Sequence, residues 1–318
     1  MAMAKEPASH SETGHHSHSR PHAGHSHAPP KLGAGDLTPA FRLSVLLNLG
    51  YVLFEAMAGF WTGSLALLAD AAHNLTDVAG LLLAWGAAVL AGRRANARYT
   101  YGFGRATILA ALANAVAILI GAGAVIWEAL HRFSDPVDVP GGTVLVVALV
   151  GIGVNAGSAF LFRAHGGDLN ARGAYLHLLA DAAVSLAVVL AAAGIMLTGW
   201  QWLDPVVAIG VSIVIALAAW DLLRRATGAA MDAVPEGVDR DQIARFLAAQ
   251  PGVAEVHDLH IWPLSTTETA MTAHLVMPQG GGGDDFLKAL REELRSHHGI
   301  AHVTIQTERA RDPDCPAH

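Results

Sequence analysis

The chain has 318 residues, 53% of them hydrophobic and only 15% charged, with a mean hydropathy of +0.38. A water-soluble protein carries about a quarter charged residues, so one globular core does not account for this chain, and the net charge of −7 argues against nucleic acid as a partner. The single cysteine, Cys315, excludes an intramolecular disulfide and a cysteine zinc cluster.

Residues 1–36 are polar and rich in Pro, Gly, Ser and His, with no apolar core of a cleavable signal peptide. His10, His15, His16, His18, His22, His25 and His27 lie in this segment. A flexible imidazole-rich tail can bind zinc weakly and raise its local concentration; the plainer reading is a polar tail of little consequence.

Six apolar stretches follow, at 41–62, 65–92, 106–131, 142–164, 173–199 and 203–224. Each reaches the roughly 20 residues a helix needs to cross a bilayer. The first two are joined only by the tight turn at Trp61-Thr62-Gly63-Ser64 and predict a helical hairpin. Arg93, Arg94, Arg98 and Arg105 occupy the second-to-third connection, Arg163 and Arg172 the fourth-to-fifth, and Arg224 and Arg225 follow the sixth. The opposite side holds only Arg132, with Trp61, Trp200 and Trp202 at its interface. The positive-inside rule therefore puts both termini in the cytoplasm, with the cell inner membrane as the expected location.

Two of these spans repeat one pair of side chains: His73 with Asp77, and His177 with Asp181. Residues four apart share a helical face. Brought face to face, the two helices offer two imidazole nitrogens and two carboxylate oxygens, a closed set suited to zinc or a similar divalent ion. Ionisable groups inside a bilayer are costly and mark a transport path or a bound ion. Asp70, one turn before His73, fits either an acceptor for that imidazole or a helix N-cap near the short turn. Asn48, Glu55, Asn114, Glu128 and Asn155 are read as hydrogen-bonding groups between packed helices, with Asn155 the candidate for a place at the site.

From 238 to 310 the pattern changes to a small α/β domain of order α-β-β-α-β. Residues 239–249 and 284–298 are helix-periodic, whereas 253–262, 268–277 and 302–308 alternate as strands do. The whole chain then divides into a disordered His-rich tail (1–36), a six-helix membrane domain (37–230), an α/β domain for metal binding and dimerisation (231–310) and a flexible end (311–318).

The stretches SLALLADAAHNLTD (64–77), YGFGR (101–105), GAYLHLLAD (173–181) and VHDLHIW (256–262) resemble the cation diffusion facilitator family of zinc transporters, and the likeness runs from about residue 38 to 310. The resemblance implies a homodimer in the lipid bilayer, six membrane helices per subunit, a ferredoxin-like cytoplasmic domain, and exchange of divalent metal for protons. It puts the transport site on His73, Asp77, His177 and Asp181, and a cytoplasmic zinc site on His257, His274 and Glu308. It pairs Arg105 with Asp232 as a tie between the two domains. Gln306 stands where some members have a histidine, Tyr99 and Phe103 replace ligands of a loop site, and Thr107 replaces a common glutamate.

The expected activity is zinc efflux by metal/proton antiport with alternating access, with cobalt or cadmium as further cargoes. There is no Gly-x-x-x-x-Gly-Lys nucleotide loop, so an ion gradient must drive it. A membrane metalloenzyme fits poorly, because catalytic zinc keeps an open position and the chain lacks His-Glu-x-x-His. A metal sensor or non-transporting dimer partner would not need the complete intramembrane quartet, and a zinc uniporter would not need the protons.

Overall fold

A computed structural model describes the backbone of residues 39–163 and 169–311, with side chains described there except at 39–45, 161–163 and 169–177. The expected histidine-rich tail and Cys315 lie outside the described residues, as do the side chains of Arg163, Arg172 and His177.

Six long helices come first: α1 (Pro39–Thr62), α2 (Leu65–Ala91), α3 (Arg105–Arg132), α4 (Gly141–Arg163), α5 (Leu169–Thr198) and α6 (Leu203–Ala230). Five of them, α2 to α6, are long and apolar enough over the described residues to cross a membrane. The 24 residues of α1 also exceed the length needed. Two helix boundaries differ from the sequence reading by four residues or more. Helix α5 begins at Leu169 rather than near 173, and α6 runs on to Ala230 rather than stopping at 224. Arg224 and Arg225 therefore sit on α6 itself, where Asp221 accepts from Arg225 Nε at 2.8 Å and stabilises the extra turns.

The α1–α2 hairpin turns at Gly63, whose φ of +70° suits glycine. Ser64 then caps α2, its side chain accepting from Leu67 N. The N-cap reading of Asp70 is thereby overturned: Asp70 lies inside the helix, six residues beyond the cap. The carboxylate of Asp204, at the start of α6, reinforces the end of α2. It accepts from Ser64 Oγ at 2.5 Å, Leu65 N at 2.7 Å and Ala66 N at 3.2 Å, a favourable place for negative charge. From α3, the Arg132 guanidinium donates to the Gly63 carbonyl. Because Asp204 is buried and holds three donors, Asp204→Ala is expected to cost about 2 kcal/mol. A lowered thermal unfolding midpoint in detergent would register it; an unchanged midpoint would contradict the clamp.

Helix α4 packs along α5, α3 along α6, and α2 touches α1, α3, α5 and α6. The interior uses small residues that let helices approach. Ala58, Ala66, Leu67, Val144, Val147, Ala148, Val188 and Ala192 fill the space between α1, α2, α4 and α5. Leu65, Ala69, Ala129, Ala208 and Val211 join α2, α3 and α6. Gly151 on α4 is required for closeness, because a Cβ there would run into the Tyr51 hydroxyl on α1. Large apolar side chains such as Phe60, Leu82, Ile120 and Leu197 point outward, as lipid-facing surfaces do.

The C-terminal domain contains α7 (Arg240–Ala248), β1 (Glu255–Pro263), β2 (Thr269–Val276), α8 (Gly283–His298) and β3 (Ile300–Glu308). This is the α-β-β-α-β order read from the sequence. Asp239 caps α7 by accepting from Asp241 N and Gln242 N, and Gly299 ends α8 in the left-handed region. The sheet order is β1-β2-β3, with β1 antiparallel and β3 parallel to β2. Ile243, Leu247, Met271, Leu275, Leu290, Leu294 and Ile300 form a core between helices and sheet. His257 pairs with His274 in register, and Val276 with Glu308, so polar groups of all three strands collect at one end of the sheet.

Several contacts join the domains. Arg105 Nη2 meets Asp232 Oδ1 at 2.6 Å, with both side chains about half exposed. At that exposure the pair contributes about 1 kcal/mol or less, so it orients the domains more than it stabilises them. Beside it, Thr266 N in the β1–β2 turn donates to Thr107 Oγ1 at 3.1 Å. The threonine that replaces the expected glutamate thus accepts a backbone bond across the domain boundary.

Candidate metal-transport site

Helices α2 and α5 meet where their acidic and imidazole side chains face one another. His73 Nε2 lies 3.4 Å from Asp181 Oδ1 on α5 and 3.8 Å from Asp77 Oδ2 on its own helix. One ligand atom from each of His73, Asp77 and Asp181 falls within 4.8 Å of the others. Asp181 is buried, and His73 and Asp77 are partly open, so the cluster has one enclosed wall and one accessible side. An imidazole nitrogen with two carboxylates suits zinc and the neighbouring divalent ions. His177, the fourth member expected from the sequence, precedes Asp181 by four residues on α5; its side chain is outside the described residues.

Behind these three, Asp70 is fully buried. Its Oδ2 accepts from Ser185 Oγ on α5 at 2.9 Å, and its Oδ1 from Asn74 Nδ2 at 3.4 Å. Since Asp70 stands one turn before His73 and Ser185 one turn after Asp181, the Asp70–Ser185 bond holds the two ligand-bearing helices in register. Asn155 on α4 is buried, and its side-chain nitrogen has no hydrogen-bond partner among the described residues. Sequence reasoning did not single out Ser185. A cross-helix bond needs the relative rotation of α2 and α5, which spacing within one helix does not reveal.

The C-terminal domain holds a second cluster. Glu308 bridges two imidazoles, with Oε2 3.2 Å from His257 Nε2 and Oε1 3.0 Å from His274 Nδ1. The two rings meet edge to face at 5.1 Å. Partial burial by itself would raise the Glu308 carboxyl, but bonds from His257 and Gln306 and the charge of both imidazoles hold it below the usual carboxylate range. Gln306 donates to Glu308 Oε1 at 2.9 Å, so the residue standing in for a histidine serves the carboxylate instead. Two nitrogens and one carboxylate within 4.8 Å suit a divalent ion.

Asp258, which the sequence reading passed over, adjoins this cluster. Its Oδ2 is 3.5 Å from His274 Nε2 and its Oδ1 is 2.9 Å from His260 Nε2. A bulge between His257 and His260 and a φ of +51° at Asp258 turn it there, against the alternation expected of a regular strand. His302 packs edge-on against Tyr101 at 5.4 Å instead.

Residues 41–228 match the family model described as the cation efflux transmembrane domain, and residues 235–310 match that of the cation efflux protein, cytoplasmic domain. The chain belongs to the cation efflux family. It is thus a multi-pass integral membrane transporter, with the family and fold class that its helical motifs suggested.

Among its relatives is the cadmium, cobalt and zinc/H(+)-K(+) antiporter of Bacillus subtilis (strain 168), 37% identical over 273 residues, covering 84% of this chain and 87% of the relative. The zinc transporter ZitB of Escherichia coli (strain K12) is 36% identical over 304 residues, covering 94% and 95%. The metal cation efflux system protein CzcD of Cupriavidus metallidurans is 34% identical over 290 residues, covering 91% and 90%. These likenesses span both domains, so the whole architecture is shared.

Proposed function

We propose that this protein is a homodimeric zinc exporter of the cell inner membrane, with both termini cytoplasmic, that exchanges the metal for protons by alternating access. The observation that carries the reading is the meeting of His73, Asp77 and Asp181 between α2 and α5, with His177 completing the set from α5. Zinc entering from the cytoplasm displaces protons from the imidazoles, because only neutral imidazole ligates metal. The two carboxylates balance the ion's charge, which a low-dielectric interior otherwise makes expensive. Rocking of the helices then opens the site to the far side, where protons return to the imidazoles and the ion leaves. The names of the relatives support zinc as cargo, with cadmium and cobalt acceptable to the same nitrogen and oxygen donors. Metal-selective flux in proteoliposomes, with and without an imposed pH gradient, tests the reading.

In the cytoplasmic domain, His257, His274 and Glu308 hold a second ion, which would strengthen a domain of modest core. Glu308→Ala removes the bridging carboxylate and is expected to lower the zinc content of the full-length dimer by about one ion per subunit. Equilibrium dialysis measures it. An unchanged zinc content would count against this site.

A further inference from the structure

Between Asp77 and Glu128 the chain carries four arginines and no acidic residue. Three of them, Arg93, Arg94 and Arg98, are exposed in the short loop that joins α2 to α3. The other described arginines at this end of the membrane helices are answered by carboxylates. Arg105 meets Asp232, Arg224 meets Asp221, and Arg225 meets both Asp221 and Glu236. Among the described residues no carboxylate pairs with Arg93, Arg94 or Arg98, so the loop is a patch of uncompensated positive charge directly beside the membrane spans.

The loop has a built shape. Asn96 Oδ1 accepts from Arg98 N and Tyr99 N, each at 2.9 Å. The Tyr99 carbonyl accepts from Asn96 N at 3.1 Å and Gly102 N at 2.9 Å, and the Tyr99 ring lies 4.8 Å from that of Phe103. Tyr101 rests edge-on against His302 of β3 at 5.4 Å, and a Cβ at Gly104 would lie 2.8 Å from the Leu264 carbonyl oxygen. The loop is thus held between the membrane domain and the C-terminal domain, with the exposed rings of Tyr99 and Tyr101 next to the arginines.

Residues that directly follow a membrane helix lie at the depth of the lipid headgroups, where tyrosine rings also settle. A guanidinium matches phosphate oxygens with paired donors, and each basic side chain near an anionic lipid surface adds to the attraction. A lipid phosphate already occupies that layer, whereas a soluble anion has to be drawn from bulk water.

We infer that the α2–α3 loop is a docking surface for anionic phospholipid headgroups, whose phosphates are held by Arg93, Arg94 and Arg98. The same loop runs from α2, which carries His73 and Asp77, to the contacts with His302 and Leu264. A bound headgroup therefore fixes the end of the metal-bearing helix against the C-terminal domain, and zinc flux increases with anionic lipid. The docking itself does not depend on the cargo; its effect on flux rests on the transport reading above.

The test titrates phosphatidylglycerol or phosphatidylcholine into the full-length protein in a neutral detergent and counts bound lipid by native mass spectrometry. The unmodified protein should prefer phosphatidylglycerol. The combined Arg93→Gln, Arg94→Gln and Arg98→Gln variant should lose about 100-fold in affinity for it and keep its affinity for phosphatidylcholine. A charge-matched control, Lys288→Gln with Arg291→Gln and Arg295→Gln on the exposed side of α8, should bind as the unmodified protein does. Equal affinity of the unmodified protein for both lipids overturns the inference, as does an equal loss in the α8 control. Displacement of the lipid by inorganic phosphate would overturn it in favour of a soluble anion. In proteoliposomes, zinc flux should rise with the phosphatidylglycerol fraction, and the loop variant should lose that dependence. Flux indifferent to a lipid that does bind overturns the coupling to transport. No zinc flux in any lipid, with binding intact, would sink the transport reading and leave the docking surface standing.

Discussion

Asp181→Ala and Asp77→Ala should each reduce zinc flux more than 100-fold while leaving a folded dimer. Altering groups that merely support a ligand costs about 10–100-fold in metal affinity, and each of these substitutions removes a ligand with its charge. Asp181 is the stricter case, because it is buried and 3.4 Å from His73 Nε2 across the α2–α5 interface. Its replacement leaves His73 facing one carboxylate instead of two. The fold should tolerate it: the Asp70–Ser185 bond still joins the helices, and truncation to alanine leaves only a small gap. Flux into proteoliposomes, with dimer integrity and thermal unfolding as controls, measures the effect. Flux at the unmodified level from both folded variants would remove the cluster from the transport path.

The second large effect is on pH dependence. Imidazole titrates near 6.5 in the absence of other influences, and its protonated form cannot bind metal. Apparent zinc affinity should therefore fall as pH drops through that range, by about tenfold per pH unit for each proton that competes with the ion. With His73 and His177 both competing, the limiting slope approaches about 100-fold per unit. Titration calorimetry at several pH values, on the unmodified protein and on a Glu308→Ala variant that isolates the membrane site, reads the slope. A flat profile between pH 5.5 and 7.5 would mean that protons and zinc do not share ligands.

Much of this architecture was legible because its determinants are local. Span length follows from apolar runs, the hairpin from Gly63, and the α-β-β-α-β order from a change of period between Asp239 and Glu308. The His73/Asp77 and His177/Asp181 pairs could be found because a spacing of four fixes a common helical face. Features that depend on how elements meet were not legible. Asp204 acts 140 residues away from Ser64, and nothing in either segment announces the other. Asp70 lost its reading as a cap because Ser64 already supplies one. Asp258 reaches the cytoplasmic cluster through a bulge and a left-handed backbone that a non-glycine residue rarely adopts. Glu55 reads as one more polar residue in a span until its full burial and the bond it accepts from Tyr51 are seen.

The most direct test of the central claim is uphill movement of zinc driven by protons alone. Proteoliposomes with an acid lumen are placed in an alkaline bath containing the same free zinc concentration as the lumen. As protons leave, zinc should accumulate inside above the bath concentration, and a protonophore that collapses the gradient should return it to equality. Zinc that stays equal on both sides throughout, while still exchanging freely, would contradict antiport and mark a uniporter.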